Sequence, residues 1–343
     1  MFRKKLIPIF LALTLIIISQ TACGTSEKEP VSSTEYNLLN TTCTITIYDQ
    51  SSDTAGKTIK GAFDTCRRYE NLLSKTVEGS DIYRINHGGG SPVEISRETY
   101  QLLQESLSYG DLSEGAFDVT VGKLSSLWNF SSPAPHVPDD RDIAAAILDI
   151  NYKNIDLFES EGKHYARLKN RGCEIDLGGI AKGYIADRAA EYVKSAGSNS
   201  AIVNLGGNIV AIGEKDGGTP WKIGIERPFA DHRDIVGSVK VKNKTVVTSG
   251  IYERMFVEDK KLYHHVLDVS TGYPVSTDLE SVTLVGEYGQ SCRCDALSTT
   301  CLLLGLEKAT ALIEQQDGVE AVFIDVNGEI HTSSGMEFTP SEQ

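Results

Sequence analysis

Residues 174–184 read Glu174-Ile175-Asp176-Leu177-Gly178-Gly179-Ile180-Ala181-Lys182-Gly183-Tyr184. The run Cys173–Leu177 has the alternation of a short strand, two glycines follow as a turn, and Ile180–Lys194 carries helical spacing. Glycines let a backbone approach a ligand closely, and a helix start presents free N–H groups to an anion. Lys182, one turn in, adds a point charge. The spacing is neither that of a Walker loop nor that of a dinucleotide fingerprint. Taken alone, such a turn is structural more often than functional.

On either side the pattern is mixed. Upstream, Asn40–Tyr48 alternates Thr42, Thr44, Thr46 and Tyr48 with Cys43, Ile45 and Ile47, the period of a half-buried strand. Ala55–Leu73 has helical spacing, with Ile59, Ala62, Phe63, Cys66, Tyr69, Leu72 and Leu73 on one face. Ser96–Tyr109 and Arg141–Leu148 read as further helices, separated by a loop at Pro133, Pro135 and Pro138. Downstream, strands are expected at 155–158, 164–168, 201–205, 221–225, 236–247, 262–269, 281–285 and 321–324. A helix over Arg293–Leu304 is expected to continue to Glu314. Strands and helices mixed without regular βαβ alternation predict an α+β fold, a β-rich body with mixed sheets and a packed helical portion.

The chain opens with Arg3, Lys4 and Lys5, then an apolar run from Leu6 to Ile18 too short to span a bilayer comfortably. It ends at Thr21-Ala22-Cys23-Gly24, as bacterial lipoprotein signals do, although Gln20 stands where Leu is usual. The expectation is a signal peptide over 1–22, a lipidated Cys23 with a polar, aperiodic tether over 23–35, and one catalytic domain over 36–340. The body would then sit at the cell membrane, lipid-anchored on its extracytoplasmic face. The full chain holds 33 Lys+Arg against 47 Asp+Glu, a net of −14; without Arg3, Lys4 and Lys5 it is 30 against 47, or −17. Such a surface repels nucleic acid, so no nucleic-acid partner is expected. An anionic substrate needs local help from a metal, a lysine or a helix end. Besides Cys23 there are Cys43, Cys66, Cys173, Cys292, Cys294 and Cys301, too sparse for a disulfide scaffold and read mostly as small buried residues.

Two further segments carry chemistry. In Cys294-Asp295-Ala296-Leu297-Ser298-Thr299-Thr300, Asp295 and Thr299 are four apart and share a helix face. A carboxylate with a hydroxyl suits a hard, oxygen-loving cation, Mg²⁺ rather than Zn²⁺. Spacing alone is better served by an Asp near a helix start with Thr299 bonded back to its own helix. In His264–Pro274, His265 lies on a strand entering a Gly-Pro turn, and a histidine is the usual proton acceptor near neutral pH. His264 and His265 point to opposite faces, so at most one serves a given site. Gly115-Ala116-Phe117-Asp118 and Asn204-Leu205-Gly206-Gly207-Asn208 are weaker glycine turns.

Together, and in this order, these segments resemble the FAD:protein FMN transferase family, the ApbE-type flavin transferases. The resemblance also takes in Thr42, Glu70-Asn71-Leu72-Leu73-Ser74, Ser80-Asp81 with Arg84 and Asn86, Thr248-Ser249-Gly250-Ile251-Tyr252-Glu253-Arg254, and Ser281-Val282-Thr283. It implies an ApbE-like fold and an enzyme that takes FAD as substrate with Mg²⁺ as cofactor. FMN would pass to a Thr or Ser hydroxyl of an acceptor protein, a membrane redox subunit or exported flavoprotein, with release of AMP. It implies Asp295, Thr299 and the Gly179 carbonyl as metal ligands and His265 as general base. Asn40, Ala116, Phe117, Asp118, Asp176, Lys182 and Leu267 would line the FAD site. This sequence departs from the pattern at Asn40-Thr41, where Met-Gly is common, at Val269-Ser270, in place of Pro-Arg, and at Ser298, where some members carry Asp. Two other readings share the residues: an FAD pyrophosphatase giving FMN and AMP, and a non-catalytic FAD-binding lipoprotein.

Overall fold

The computed structural model describes residues 29–231 and 234–342. The expected signal peptide and Cys23 lie outside the described residues. Along the chain run β1 (Val31–Leu38), β2 (Thr41–Ile47), α1 (Ser52–Leu73), α2 (Asp81–Asn86), β3 (Val93–Ile95), α3 (Arg97–Leu112), α4 (Gly122–Trp128) and α5 (Asp140–Ile147). Then come β4 (Ile155–Ser160), β5 (Lys163–Leu168), α6 (Ala181–Ser195), β6 (Ser200–Leu205), β7 (Asn208–Gly213), β8 (Trp221–Glu226), β9 (Ile235–Val241) and β10 (Lys244–Gly250). The chain closes with β11 (Met255–Glu258), β12 (Lys261–His264), β13 (Leu279–Glu287), α7 (Ser291–Leu304), α8 (Leu306–Ile313), β14 (Glu320–Asp325), β15 (Ile330–Thr332) and β16 (Phe338–Pro340).

An eight-stranded sheet in the order β1-β2-β6-β7-β10-β13-β14-β15, antiparallel throughout, forms the body. Alternation along its strands sorts side chains onto two faces. Val247, Leu284, Ala321 and Phe323 pack with α7 residues Leu297 and Cys301, whereas Val246, Val285, Val322 and Ile324 pack with Trp221 and Val239 of the small sheet β16-β9-β8. The strand–helix mixture is the expected α+β fold. On the helical side α1 buries Ile59, Ala62, Phe63, Cys66 and Tyr69 as its spacing predicts, and Ser51 caps it by accepting from the Thr54 N–H. All six described cysteines are free and buried.

Five expectations differ in detail. β1 begins at Val31, inside the segment expected to be tether. Its side chains are mostly exposed, so it carries no apolar alternation; cross-strand pairing with β2, including Ser32–Thr46 and Thr34–Thr44 hydroxyl contacts of 2.9 Å, makes it a strand. Cys173–Leu177 is not a strand. Its apolar residues are buried as the alternation requires, but its backbone is satisfied by the Asn86 amide and by residues 119–122. The run 236–247 is two strands in different sheets, broken at Lys242-Asn243, where Asn243 takes φ of 50°. The run 262–269 is strand only to His264. The helix after Ser291 stops at Gly305, at φ 77°, and α8 starts anew with its Leu306 N–H on Asp278.

The crossing of α6 and α7 positions the site. At Gly183 a Cβ would lie 2.2 Å from the Ser291 carbonyl oxygen and 2.7 Å from Asp295 Cβ, so only glycine lets the helices meet this closely. Gly183→Ala is expected to cost about 1–3 kcal/mol through overpacking and to push Asp295 from its place. Urea unfolding checks this; a wild-type midpoint would mean that α7 yields freely.

Candidate active site

A cavity of about 590 Å³ opens between the end of α1, the strip 116–121, the turn into α6, the end of β10 with Glu253 and Arg254, and the segment after β12. The size is ordinary for a cofactor-sized ligand. Asn40, Ala116, Phe117, Asp118, Asp176, Gly179, Lys182, His265, Leu267 and Thr299 all line it, and Asp295 sits just behind, almost wholly buried. Residues scattered over more than 250 positions are thus brought to one place.

The turn into α6 is built by hydrogen bonds. Asp176 Oδ1 accepts from the Gly178 N–H at 2.9 Å, and the Leu177 carbonyl accepts from Ile180 and Ala181. Gly179 serves by small size: a Cβ there would come 3.1 Å from the Phe117 ring and 3.4 Å from Thr299 Cγ2. Of the N–H groups at this helix start, that of Ala181 donates to the Leu177 carbonyl at 2.8 Å and that of Gly183 at 2.9 Å to Asp295 Oδ2.

Asp295 Oδ1 faces Lys182 Nζ at 3.6 Å and the Asn208 amide nitrogen at 3.4 Å. Thr300, one residue beyond Thr299, is the one bonded back to its own helix, its hydroxyl donating at 2.8 Å to the Ala296 carbonyl. Thr299 is left to the cavity. Thr299, the adjoining Gly179 backbone and the buried Asp295 carboxylate just behind them offer oxygen donors only, a donor chemistry that fits Mg²⁺. Among the described residues Asp325, Glu329 and His331 also gather ligand atoms within 4.8 Å. That trio is accounted for by the β14–β15 turn, where Asp325 accepts from Asn327, Glu329 and His331.

His265 follows β12, and its Nδ1 lies 3.3 Å from the Arg254 carbonyl oxygen. A carbonyl only accepts, so Nδ1 carries the proton and Nε2 keeps the free lone pair. Burial, then the charges of Arg254 and Lys182, push the His265 pKa down to about 3, so the ring is neutral near pH 7. His264, turned to the other side, is buried and likewise pushed down to about 4, chiefly by burial.

Two expected contacts are committed elsewhere. Asp118 Oδ1 accepts from the Thr120 N–H at 2.7 Å and hydroxyl at 2.6 Å, and Oδ2 from the Tyr152 N–H at 2.8 Å, so this carboxylate shapes the wall. Burial outweighs those bonds and raises its pKa. Asp176 accepts from Ser125 at 2.6 Å and pairs with Lys75 at 3.1 Å. Burial opposes its ionisation, but Lys75, Ser125 and Gly178 together hold its pKa below the ordinary value. Asn40 lies at φ 55°, a conformation asparagine tolerates, in the β1–β2 turn, where its carbonyl faces Arg254 Nη2 at 3.5 Å. Leu267 packs on Leu124, Trp128 and Ile143.

Sequence reasoning missed Lys75, whose Nζ donates to the Gly122 carbonyl and the Ser125 and Ser126 hydroxyls at 2.7–2.8 Å. A lysine just past a helix end gives no signal of this. Glu253 and Arg254, quoted above only as a matching stretch, form the cavity wall beside His265.

The ApbE family matches residues 39–323 of the chain. A protein of Klebsiella pneumoniae (strain 342) named FAD:protein FMN transferase is 37% identical over 281 residues, 81% of this chain and 86% of that protein. One of the same name from Treponema pallidum (strain Nichols) is 31% identical over 337 residues, 94% and 92% of the two chains. The crystal structure of the ApbE protein of Thermotoga maritima superposes with a TM-score of 0.80 at 32% identity, covering 89% of this chain and 97% of that one. The apo flavinyl transferase ApbE of Pseudomonas stutzeri gives 0.75 at 27% identity, covering 89% and 95%.

Proposed function

This chain belongs to the ApbE family, and from that premise we propose that it transfers FMN from FAD to a Thr or Ser hydroxyl of an acceptor protein, with Mg²⁺ as cofactor and AMP as leaving group. The observation that carries the reading is His265, its Nδ1 against the Arg254 carbonyl, in one cavity with Lys182 and Thr299 and with the Asp295 carboxylate just behind.

A hydroxyl is a poor nucleophile at neutral pH, so attack on the FMN phosphorus needs a base to take its proton. His265 Nε2 takes that proton as the acceptor oxygen forms its bond to phosphorus and the bond to the AMP oxygen breaks. The Arg254 carbonyl, holding Nδ1–H, steadies the imidazolium that results. Lys182 faces the departing negative charge, local positive potential on a chain with a net charge of −14. Asp295, Thr299 and the Gly179 carbonyl would hold Mg²⁺, which when bound supplies charge neutralisation at the diphosphate. Asp176, pinned by Lys75 and Ser125, and the Phe117 ring form a rigid wall against which FAD is positioned. Cys23 would tether the body to the membrane and present the cavity to membrane redox subunits or exported flavoproteins.

The same charges make the base responsive to its substrate. Burial first, and then Arg254 and Lys182, depress His265; the diphosphate of FAD offsets the two cationic contributions and so raises its basicity in part. The acid limb of kcat/KM, which reports free enzyme, is therefore expected well below pH 6.5, and that of kcat at a higher pH. Rates of acceptor labelling across pH check this, and coincident limbs near 6.5 would contradict it. Hydrolysis of FAD to FMN and AMP would use the same base on water; labelling of the acceptor separates the two reactions.

A further inference from the structure

Asn208 stands at the start of β7, wholly buried, within the Asn204–Asn208 glycine turn that the account above leaves without a role. Its amide nitrogen is 3.4 Å from Asp295 Oδ1, while its own Oδ1 has no hydrogen-bond partner. A buried carbonyl-type oxygen without a donor costs about 1–3 kcal/mol. The side chain cannot escape by turning over, because its oxygen would then face the Asp295 carboxylate, acceptor against acceptor. Leucine fills the same volume with no orphaned atom, so the retained cost calls for a cause.

Asp295 supplies it. Its Oδ2 is fixed by the Gly183 N–H, and its Oδ1 is approached from two sides by Lys182 and Asn208. Lys182 brings charge that competes with a cation for the carboxylate, whereas Asn208 orients Oδ1 with a neutral donor. Several neighbouring polar groups are satisfied within the protein: Ser298 bonds the Asp295 carbonyl at 3.0 Å and Ser249 at 2.8 Å, and Thr248 bonds Thr283 at 2.8 Å. Among the described residues around Asp295 the Asn208 oxygen and the Ser291 hydroxyl lack a partner, but of the two only an amide oxygen must be given a donor from outside, and Mg²⁺ in proteins usually keeps several water ligands.

Resting on the Mg²⁺ reading above, we propose that Asn208 is a positioning residue of the metal site: its Nδ2 orients Asp295, and its unpaired Oδ1 accepts a hydrogen bond from a water ligand of the ion. Outer-shell partners of this kind typically change metal affinity by 10- to 100-fold.

The test is Mn²⁺ binding to the FAD-free protein, by electron paramagnetic resonance and calorimetry, with Tm followed in parallel. Asn208→Leu should fold and bind Mn²⁺ about 10- to 100-fold more weakly. Asn208→Asp sets two carboxylates together; its Tm should lie below wild type without Mn²⁺ and gain more from Mn²⁺ than wild type does. A merely structural role lowers Tm in both variants but leaves the Mn²⁺ Kd of the folded protein unchanged. A wild-type Kd in Asn208→Leu, or no extra gain in Asn208→Asp, overturns the proposal. Asp295→Asn is the reference. If it weakens Mn²⁺ binding while Asn208→Leu does not, Asn208 alone is misassigned; if it too keeps the wild-type Kd, the metal reading falls and takes this inference with it.

Discussion

Replacing His265 by alanine is expected to lower transfer of FMN to the acceptor by about 100- to 10,000-fold, the range that a positioned general base contributes. FAD binding should change little, because the ring is neutral and adds no charge to the cavity. The variant separates a base from a wall residue: loss of a base appears in kcat, whereas loss of a binding contact appears in KM. His265 lies outside the main sheet, and its ring meets the Arg254 carbonyl that its own backbone N–H also reaches, a backbone bond alanine keeps, so truncation should leave the fold intact. Single-turnover labelling of an acceptor domain, with FAD affinity from flavin fluorescence, checks this. Transfer at the wild-type rate would remove His265 from the chemistry, and equal losses in binding and rate would make it a contact residue.

The second large effect is expected at Asp295. Asp295→Asn keeps an oxygen for the Gly183 N–H but removes the negative charge and sets its amide N–H₂ against Lys182 and Asn208, so Tm should fall somewhat while metal affinity falls by more than about 100-fold, beyond the usual outer-shell loss. FAD affinity measured in Mg²⁺ should fall with it, and transfer should become nearly undetectable. Asp295→Ala should do the same and also lower stability, since it leaves the Gly183 N–H unpaired in a buried place. Calorimetry with and without Mg²⁺ distinguishes the cases. Unchanged Mg²⁺ affinity in Asp295→Asn would displace the metal from this carboxylate.

The site was more legible in the sequence than the elements that carry it. That Asp295 and Thr299 share a helix face was legible because four residues make one helical turn, a local fact that survives folding, but the spacing by itself favoured a structural pair and the resemblance gave it a role. The Gly178-Gly179 turn was legible as a turn, but its reason was not: Gly179 is required by the Phe117 ring and Thr299, neither near it in sequence. Asn208 was legible only as the end of a weak glycine turn and Lys75 not at all, since each acts through a partner between 47 and 101 positions away. The strand errors share one cause. Alternation reports burial, not hydrogen bonding, so Cys173–Leu177 was read as a strand although its backbone is held by Asn86 and a loop. Conversely β1, an exposed edge strand, hides from any pattern based on apolar residues.

The most direct test of the account uses the purified body from residue 24, FAD, Mg²⁺ and an acceptor domain bearing a single candidate threonine. Mass spectrometry of the acceptor reads the outcome. The account predicts a gain of the mass of FMN less water on that threonine, stoichiometric AMP, and loss of both with EDTA. Free FMN and AMP from FAD with the acceptor unmodified, or labelling that persists undiminished in EDTA, would contradict it.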